Sequence, residues 1–263
     1  MDVEDLIKKI QVLINNRSLG VEERETRDTY QIIHFRDSFR HKYNSILFHF
    51  YMIQKIKKEV KQMIERIHGN KDFLIEGSRV REKMDFQRQV QFECTVLLED
   101  IIYHLTSLFD NLPKMISVYY KTVQSEWNFR TTKNQFNQRH TLDLEITKLI
   151  NNNWDWIEKI KEFRAQIFHH HSKICEGIIK ATFGKDKDGR QRFNEQIIVN
   201  VPNELKDAIG YKKDKIEIKE FNKILIDKSS EFFDHLFDIL IKEHEKYILK
   251  KKSDEINNSA PVK

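Results

Sequence analysis

Glycine and proline are scarce in this chain, and their scarcity constrains the fold more than any other feature of the sequence. The 263 residues contain 7 Gly and 3 Pro, whereas average usage of the two types together is about 12%. β-Sandwiches and barrels need many turns, so an all-β fold is disfavoured. The same counts exclude collagen and Gly/Pro-rich disorder. Charged residues at 33% and hydrophobic residues at 39% are instead typical of long amphipathic helices.

Apolar residues recur at helical spacing along most of the chain and predict an all-α fold, a bundle of five to seven helices of which two are long. The predicted helices cover residues 2–16, 22–67, 81–120, 142–169 and 217–249. The run Asn151–Asn153 could interrupt the fourth of these helices. Residues 123–140 lack a clear period and are predicted to be a loop, whereas residues 177–201 predict one β-hairpin insertion. We expect residues 1–250 to form a single domain and residues 251–263 to be a disordered tail.

Charge and cysteine content bear on the compartment and the partners. The net charge of +5 permits an anionic partner such as RNA, but it is more often that of a soluble protein kept away from zero net charge. Cys94 and Cys175 are the only cysteines, which is typical of reduced thiols in a cytosolic protein. The first ten residues contain no signal-peptide core, and the chain has no run of 18 apolar residues. We therefore expect a cytoplasmic protein with no membrane association.

The stretch Trp154–His171 carries the most informative pattern. On a helical wheel its apolar residues fill one broad sector, and Arg164 falls inside that sector between Ile157 and Ile160. A guanidinium that faces a core is costly unless it is paired or faces a wet cleft. Three histidines end the stretch at 169–171, where the C-terminus of a helix would stabilise a protonated imidazole.

The segment from Arg164 to His169 resembles the R-x4-6-H signature of HEPN domains. The order of two long helices, the motif helix, a hairpin and a final helix is also similar to that of a bacterial branch of this superfamily. The resemblance covers roughly residues 30–250, although only the six motif residues are specific to it.

The resemblance implies an all-α dimer whose two motifs meet in one composite cleft. Many HEPN proteins are metal-independent endoribonucleases, so Arg164 would hold the scissile phosphate of RNA and His169 would be the acid/base residue. Attack by the ribose 2′-hydroxyl needs no metal or cofactor and leaves 2′,3′-cyclic phosphate ends. The implied partners are a second copy of the chain, RNA, and a cognate antitoxin or regulatory protein, in RNA turnover or in phage or stress defence.

Several alternatives remain open. Ala165 stands where active members usually carry Asn or another polar residue, which favours a non-catalytic module that binds RNA or a protein and dimerises. A helical scaffold in which Arg164 is merely ion-paired is a further alternative. Family spacing favours His169 as the catalytic residue, whereas straight helical geometry favours His171, about 20° from Arg164. Consecutive histidines do not converge easily on one ion, so we expect no metal site.

A polar border on the second long helix offers supporting residues. Glu93, Asp100, His104 and Asn111 follow one another at spacings of 7, 4 and 7. This border could face the cleft of Arg164, with Glu93 orienting the guanidinium, or it could be a solvated edge.

Overall fold

The computed structural model describes residues 3–15, 23–69, 77–120, 123–124, 128–138, 144–170, 179–185 and 191–258. Within these ranges the protein is a bundle of seven helices with a small antiparallel sheet, which confirms the predicted all-α fold with one hairpin. The helices are α1 (Val3–Asn15), α2 (Glu23–Gly69), α3 (Gly77–Tyr119), α4 (Phe129–Gln138), α5 (Glu145–His170), α6 (Asn203–Ala208) and α7 (Ile218–Asn258). The strands are β1 (Ile179–Lys185), β2 (Gln191–Val199) and β3 (Ile216–Glu217). None of the described helices is long and apolar enough to cross a membrane.

Three helices are long, where the sequence predicted two: α2, α3 and α7 have 47, 43 and 41 residues. The third is α7, which continues to Asn258 instead of ending at Leu249. The first eight residues of the predicted tail are therefore helical, and residues 259–263 lie outside the described ranges. Helix α5 also runs without a break through Asn151–Asn153.

Helix α4 corrects the prediction of a loop over residues 123–140. The Asn128 side chain accepts a hydrogen bond of 2.8 Å from the backbone N–H of Thr131, an N-cap that satisfies one of the free donors at a helix start. Phe129, Thr132 and Phe136 are buried at spacings of 3 and 4, which gives this short segment one apolar face. Two phenylalanines seven residues apart, among many polar residues, were too weak a pattern to recognise in the sequence.

The short helix α6 was also missed. It ends at Ala208 with Ile209 as its C-cap, and the next residue is Gly210, whose φ of +78° lies in the left-handed region where glycine is favoured. The backbone N–H of Tyr211 then donates to the carbonyl of Lys206 at 2.8 Å and closes the turn.

The chain divides into two compact units, each assembled from separate stretches. Unit 1 comprises Met1–Asn44, Ser107–Asp155 and Asp227–Lys263, and unit 2 comprises Ser45–Thr106 and Trp156–Ile226. We predicted one domain over residues 1–250. Helices α2, α3, α5 and α7 each contribute residues to both units.

The core of unit 1 is an aromatic cluster. Phe39 of α2 packs edge-on against Phe233 and Phe237 of α7, with ring centroids 5.0 Å and 5.5 Å away. Phe109 of α3 stacks on Phe233 at 5.4 Å and also contacts Phe129 of α4. Such ring pairs stabilise a core by about 0.5–1.5 kcal/mol each beyond their buried area.

Unit 2 combines helices with the sheet. Strand β1 pairs antiparallel with β2, and β2 pairs antiparallel with β3, in the order β1-β2-β3. Ile197 and Val199 of β2 and Ile216 of β3 are buried. Phe163 of α5 contacts Phe221 of α7 edge-on at 6.4 Å. Because a hairpin alone is marginal in water, this apolar burial holds the sheet to unit 2.

Candidate functional site

Arg164 lies in the part of α5 that belongs to unit 2, and its side chain is half-buried. Its guanidinium carbon lies 4.7 Å from the centroid of the Tyr103 ring of α3. Tyr103 is 42% exposed, so both groups border solvent. Ile157 and Ile160, the residues that flank Arg164 around the axis of α5, are buried, in keeping with the predicted place of Arg164 inside the apolar sector. The aromatic contact stabilises a cation at such a position.

His104, which follows Tyr103 in α3, makes a second contact. The ring of His104 stacks on that of His49 from α2, with centroids 5.9 Å apart and an angle of 27° between the planes. The Nε2 atom of His49 lies 3.8 Å from a carboxylate oxygen of Asp100, one turn before His104. The Nδ1 atom of His49 is buried and has no hydrogen-bond partner in the part of the chain that the structure describes.

The two contacts form one group, which we call the Arg164 cluster: Arg164, Tyr103, His104, His49 and Asp100. The ring centroids of Tyr103 and His104 are 5.5 Å apart. Together with the 4.7 Å contact of Arg164, this places the guanidinium and the His104 ring within about 10.2 Å of each other. The cluster thus combines a permanent cation, an exposed aromatic face and two imidazoles, and imidazole is the side chain suited to proton transfer near neutral pH.

Part of the predicted polar border of α3 belongs to this cluster and part does not. Asp100 and His104 are members. Glu93 accepts a hydrogen bond of 2.8 Å from the Gln89 side chain, and it lies ten residues, or about 15 Å, before Tyr103 along the helix. Asn111 donates to the backbone oxygen of Ser107 at 2.9 Å. The role of Glu93 beside Arg164 stays a prediction.

His169 and His170 are the last two residues of α5. The helix continues through His170, so the backbone does not unwind before His169. Positions 164 and 169 are therefore about 140° apart around the helix axis. The side chain of His169, and all of His171, lie outside the described residues. The choice between these two histidines stays a prediction.

Ala165 is exposed on α5 directly after Arg164. Its methyl group offers no donor or acceptor to a ligand. The position is accessible, and the polar group that the HEPN resemblance leads us to expect there is missing.

His49 is the member of the cluster that sequence reasoning missed. It carries no motif, and it joins the cluster only because α2 packs beside α3. Seven residues earlier on the same face of α2, Lys42 also contacts α3. That seven-residue spacing was the only local signal, and it is a weak one because most residues of α2 are polar or charged.

No group of three or more His, Cys, Asp or Glu side chains suited to a metal ion occurs among the described residues. The sequence matches no protein-family model, no curated protein and no solved structure. The resemblance to HEPN domains therefore rests on the motif from Arg164 to His169 and on the order of the elements.

Proposed function

We propose that this protein is a HEPN-like, metal-independent endoribonuclease that works as a homodimer and binds RNA at the Arg164 cluster. One observation carries the proposal: the guanidinium of Arg164 lies against the solvent-bordering ring of Tyr103. Arg binds phosphate through a planar fork and keeps its charge at any physiological pH. Aromatic side chains and guanidinium planes are also the surfaces on which unpaired RNA bases stack.

In the proposed reaction Arg164 holds the scissile phosphate. His169 removes the proton of the ribose 2′-hydroxyl, and the 2′-oxygen forms a bond to phosphorus. The bond from phosphorus to the 5′-oxygen then breaks, and that oxygen takes a proton from an acid group. The products are a 2′,3′-cyclic phosphate and a 5′-hydroxyl. Proton transfer by a positioned side chain contributes about 10²–10⁴-fold to such a reaction.

The helical geometry is compatible with a composite site. A single straight helix presents positions 164 and 169 on different sides. Two copies of α5 brought together can bring Arg164 of one copy towards His169 of the other. The proposal therefore requires a dimer.

A second candidate function is favoured by Ala165. Since this exposed position lacks a polar group, the protein could bind RNA or a protein through the same face without cleaving it. Exposed lysines on α2 in unit 2, at positions 55, 58 and 61, would then supply further phosphate contacts.

The test is cleavage of several RNAs in the presence of EDTA by the wild type, Arg164→Ala and His169→Ala. We expect cyclic phosphate ends and a loss of at least about 100-fold in each variant. The matched control is Arg88→Ala, which removes a cation of α3 whose side chain is 74% exposed; its activity should be unchanged. Sedimentation equilibrium gives the oligomeric state.

Two outcomes overturn the nuclease proposal. A strict monomer excludes the composite site. A verified dimer that cleaves none of the RNAs but binds them through Arg164 establishes the second function.

A further inference from the structure

A separate pair of side chains in unit 1 has a different chemistry. Lys42 of α2 directs its ammonium nitrogen at the Ser107 hydroxyl of α3, with 2.6 Å between Nζ and Oγ. Both residues are half-buried, so the contact borders solvent without being fully exposed to it. Neither residue belongs to the Arg164 cluster.

The surroundings of Lys42 are set by one face of α3. Ser107, Asp110 and Lys114 follow at spacings of 3 and 4, which puts them on that face. Burial lowers the pKa of Lys42, and the positive charge of Lys114 lowers it further. The negative charge of Asp110 acts in the opposite direction and is outweighed.

These are the conditions that activate an amine. A lysine is a nucleophile only when it has lost its proton, and loss of solvent or a neighbouring cation promotes that loss. Lys246 of α7 is a contrast within the same chain. Its hydrogen bond to Glu243, 2.6 Å long, raises the pKa of its ammonium group.

We propose that Lys42 is a covalent binding site for small aldehydes or ketones that carry a negative charge, with Lys114 attracting the anionic group and Ser107 relaying a proton. Lys114 is exposed and stands about 10 Å from Ser107 along α3. The site is independent of the proposed RNA chemistry.

The reaction balances without an oxidant or reductant. The Nζ lone pair forms a bond to the carbonyl carbon, and the C=O π electrons move to oxygen. That oxygen takes a proton while the nitrogen releases one, which gives a carbinolamine. The hydroxyl then takes a second proton and leaves as water. Loss of the remaining N–H proton yields the neutral imine, and water reverses the sequence.

The probe for this proposal is pyridoxal 5′-phosphate, which carries an aldehyde and a phosphate. The full-length protein is incubated near neutral pH with less than one equivalent, reduced with borohydride, and mapped by peptide mass spectrometry. We expect Lys42 to be labelled several-fold more than Lys246. Ser107→Ala should slow the labelling of Lys42 several-fold, and Lys42→Arg should abolish it at that peptide.

Pyridoxal without the phosphate separates the roles of the two lysines. Lys114→Met should reduce labelling of Lys42 by the phosphorylated probe more than labelling by pyridoxal, because pyridoxal loses only the effect of the Lys114 charge on the pKa of Lys42. Equal labelling of Lys42 and Lys246 overturns the proposal that Lys42 is an activated amine. If labelling of Lys42 in Lys114→Met falls equally with both probes, or does not fall at all, the preference for anionic carbonyl compounds is overturned. Neither result depends on whether the protein cleaves RNA.

Discussion

Lys57 of α2 and Glu217 of β3 form an ion pair of 2.9 Å in unit 2, with only 21% and 14% of their side chains exposed. Lys57→Met leaves the Glu217 carboxylate in a poorly solvated place. We expect a loss of about 1.5–3 kcal/mol in the free energy of unfolding, measured by urea denaturation. Lys8→Met is the control, since Lys8 and Asp5 are 75% and 55% exposed and such pairs are worth less than about 1 kcal/mol. Equal losses in the two variants would contradict the argument.

Phe39 occupies the centre of the unit 1 core. Its ring is fully buried between Tyr43 and the phenylalanines of α7. Phe39→Ala should lower the free energy of unfolding by about 3–5 kcal/mol, because transfer and cavity costs add. Phe92→Ala is the matched control: Phe92 is 69% exposed, and its variant should stay within about 0.5 kcal/mol of the wild type. A small effect at Phe39 would show that the ring cluster is loosely packed.

Asn222 of α7 is 0% exposed. Neither the nitrogen nor the oxygen of its side-chain amide has a hydrogen-bond partner within the described ranges. Leucine has the same branched arrangement of side-chain heavy atoms and no polar group to desolvate, although its methyl groups take up more volume. We therefore expect Asn222→Leu to raise the free energy of unfolding by about 1–3 kcal/mol. Asn222→Asp should lower it, because a buried carboxyl is harder to accommodate. If Asn222→Leu instead lowers the free energy of unfolding, the amide stabilises the fold, which would point to a bound water molecule as its partner.

Tyr211 should make the free energy of unfolding fall at high pH. Burial raises its pKa from 10.0 to about 12, and the hydrogen bond from its hydroxyl to Glu220 acts in the same direction. Because the pKa is higher in the folded state than in the unfolded state, protonated Tyr211 contributes fully to the free energy of unfolding below pH 10. This contribution disappears as the pH rises to about 12. Between pH 9 and pH 11.5 the free energy of unfolding of Tyr211→Phe should therefore fall by less than that of the wild type, by at most about 2 kcal/mol. Denaturation curves at pH 9 and at pH 11.5 measure the difference.

Tyr103 should govern RNA binding through its ring. Tyr103→Phe keeps the aromatic face beneath Arg164, whereas Tyr103→Leu removes it. Cation–π contacts at exposed sites are worth about 0.5–1 kcal/mol, so the leucine variant should bind single-stranded RNA roughly two- to fivefold more weakly at constant salt. The phenylalanine variant should match the wild type. If both variants bind equally well, the ring does not position the guanidinium.

The helical architecture could be predicted from the sequence because periodic apolar residues and scarce turn formers are local signals. The boundaries of α2 and α3 lie within a few residues of the prediction for the same reason. Helix α4 was not predicted, because its start depends on the Asn128 cap and its burial depends on Phe109 of α3. Neither the cap nor that contact has a periodic signature.

The candidate site, too, could be predicted from the sequence only in part. Arg164 could be singled out because a cation inside an apolar sector is a local anomaly. Its contact with Tyr103, and the pairing of His49 with Asp100 and His104, depend on which faces of the helices meet. Two helices of over 40 residues can pair in many registers, and composition does not choose among them.

The division of the chain into units limits how its functions can be separated genetically. Unit 1 is built from three stretches of sequence and unit 2 from two, and their borders fall inside α2, α3, α5 and α7. No continuous gene fragment therefore encodes either unit alone, and removing either terminal stretch, Met1–Asn44 or Asp227–Lys263, leaves unit 1 incomplete. The Arg164 cluster and Lys42 have to be assigned their roles by point substitutions in the intact chain, and a descendant of this gene could not have lost one unit by a single deletion.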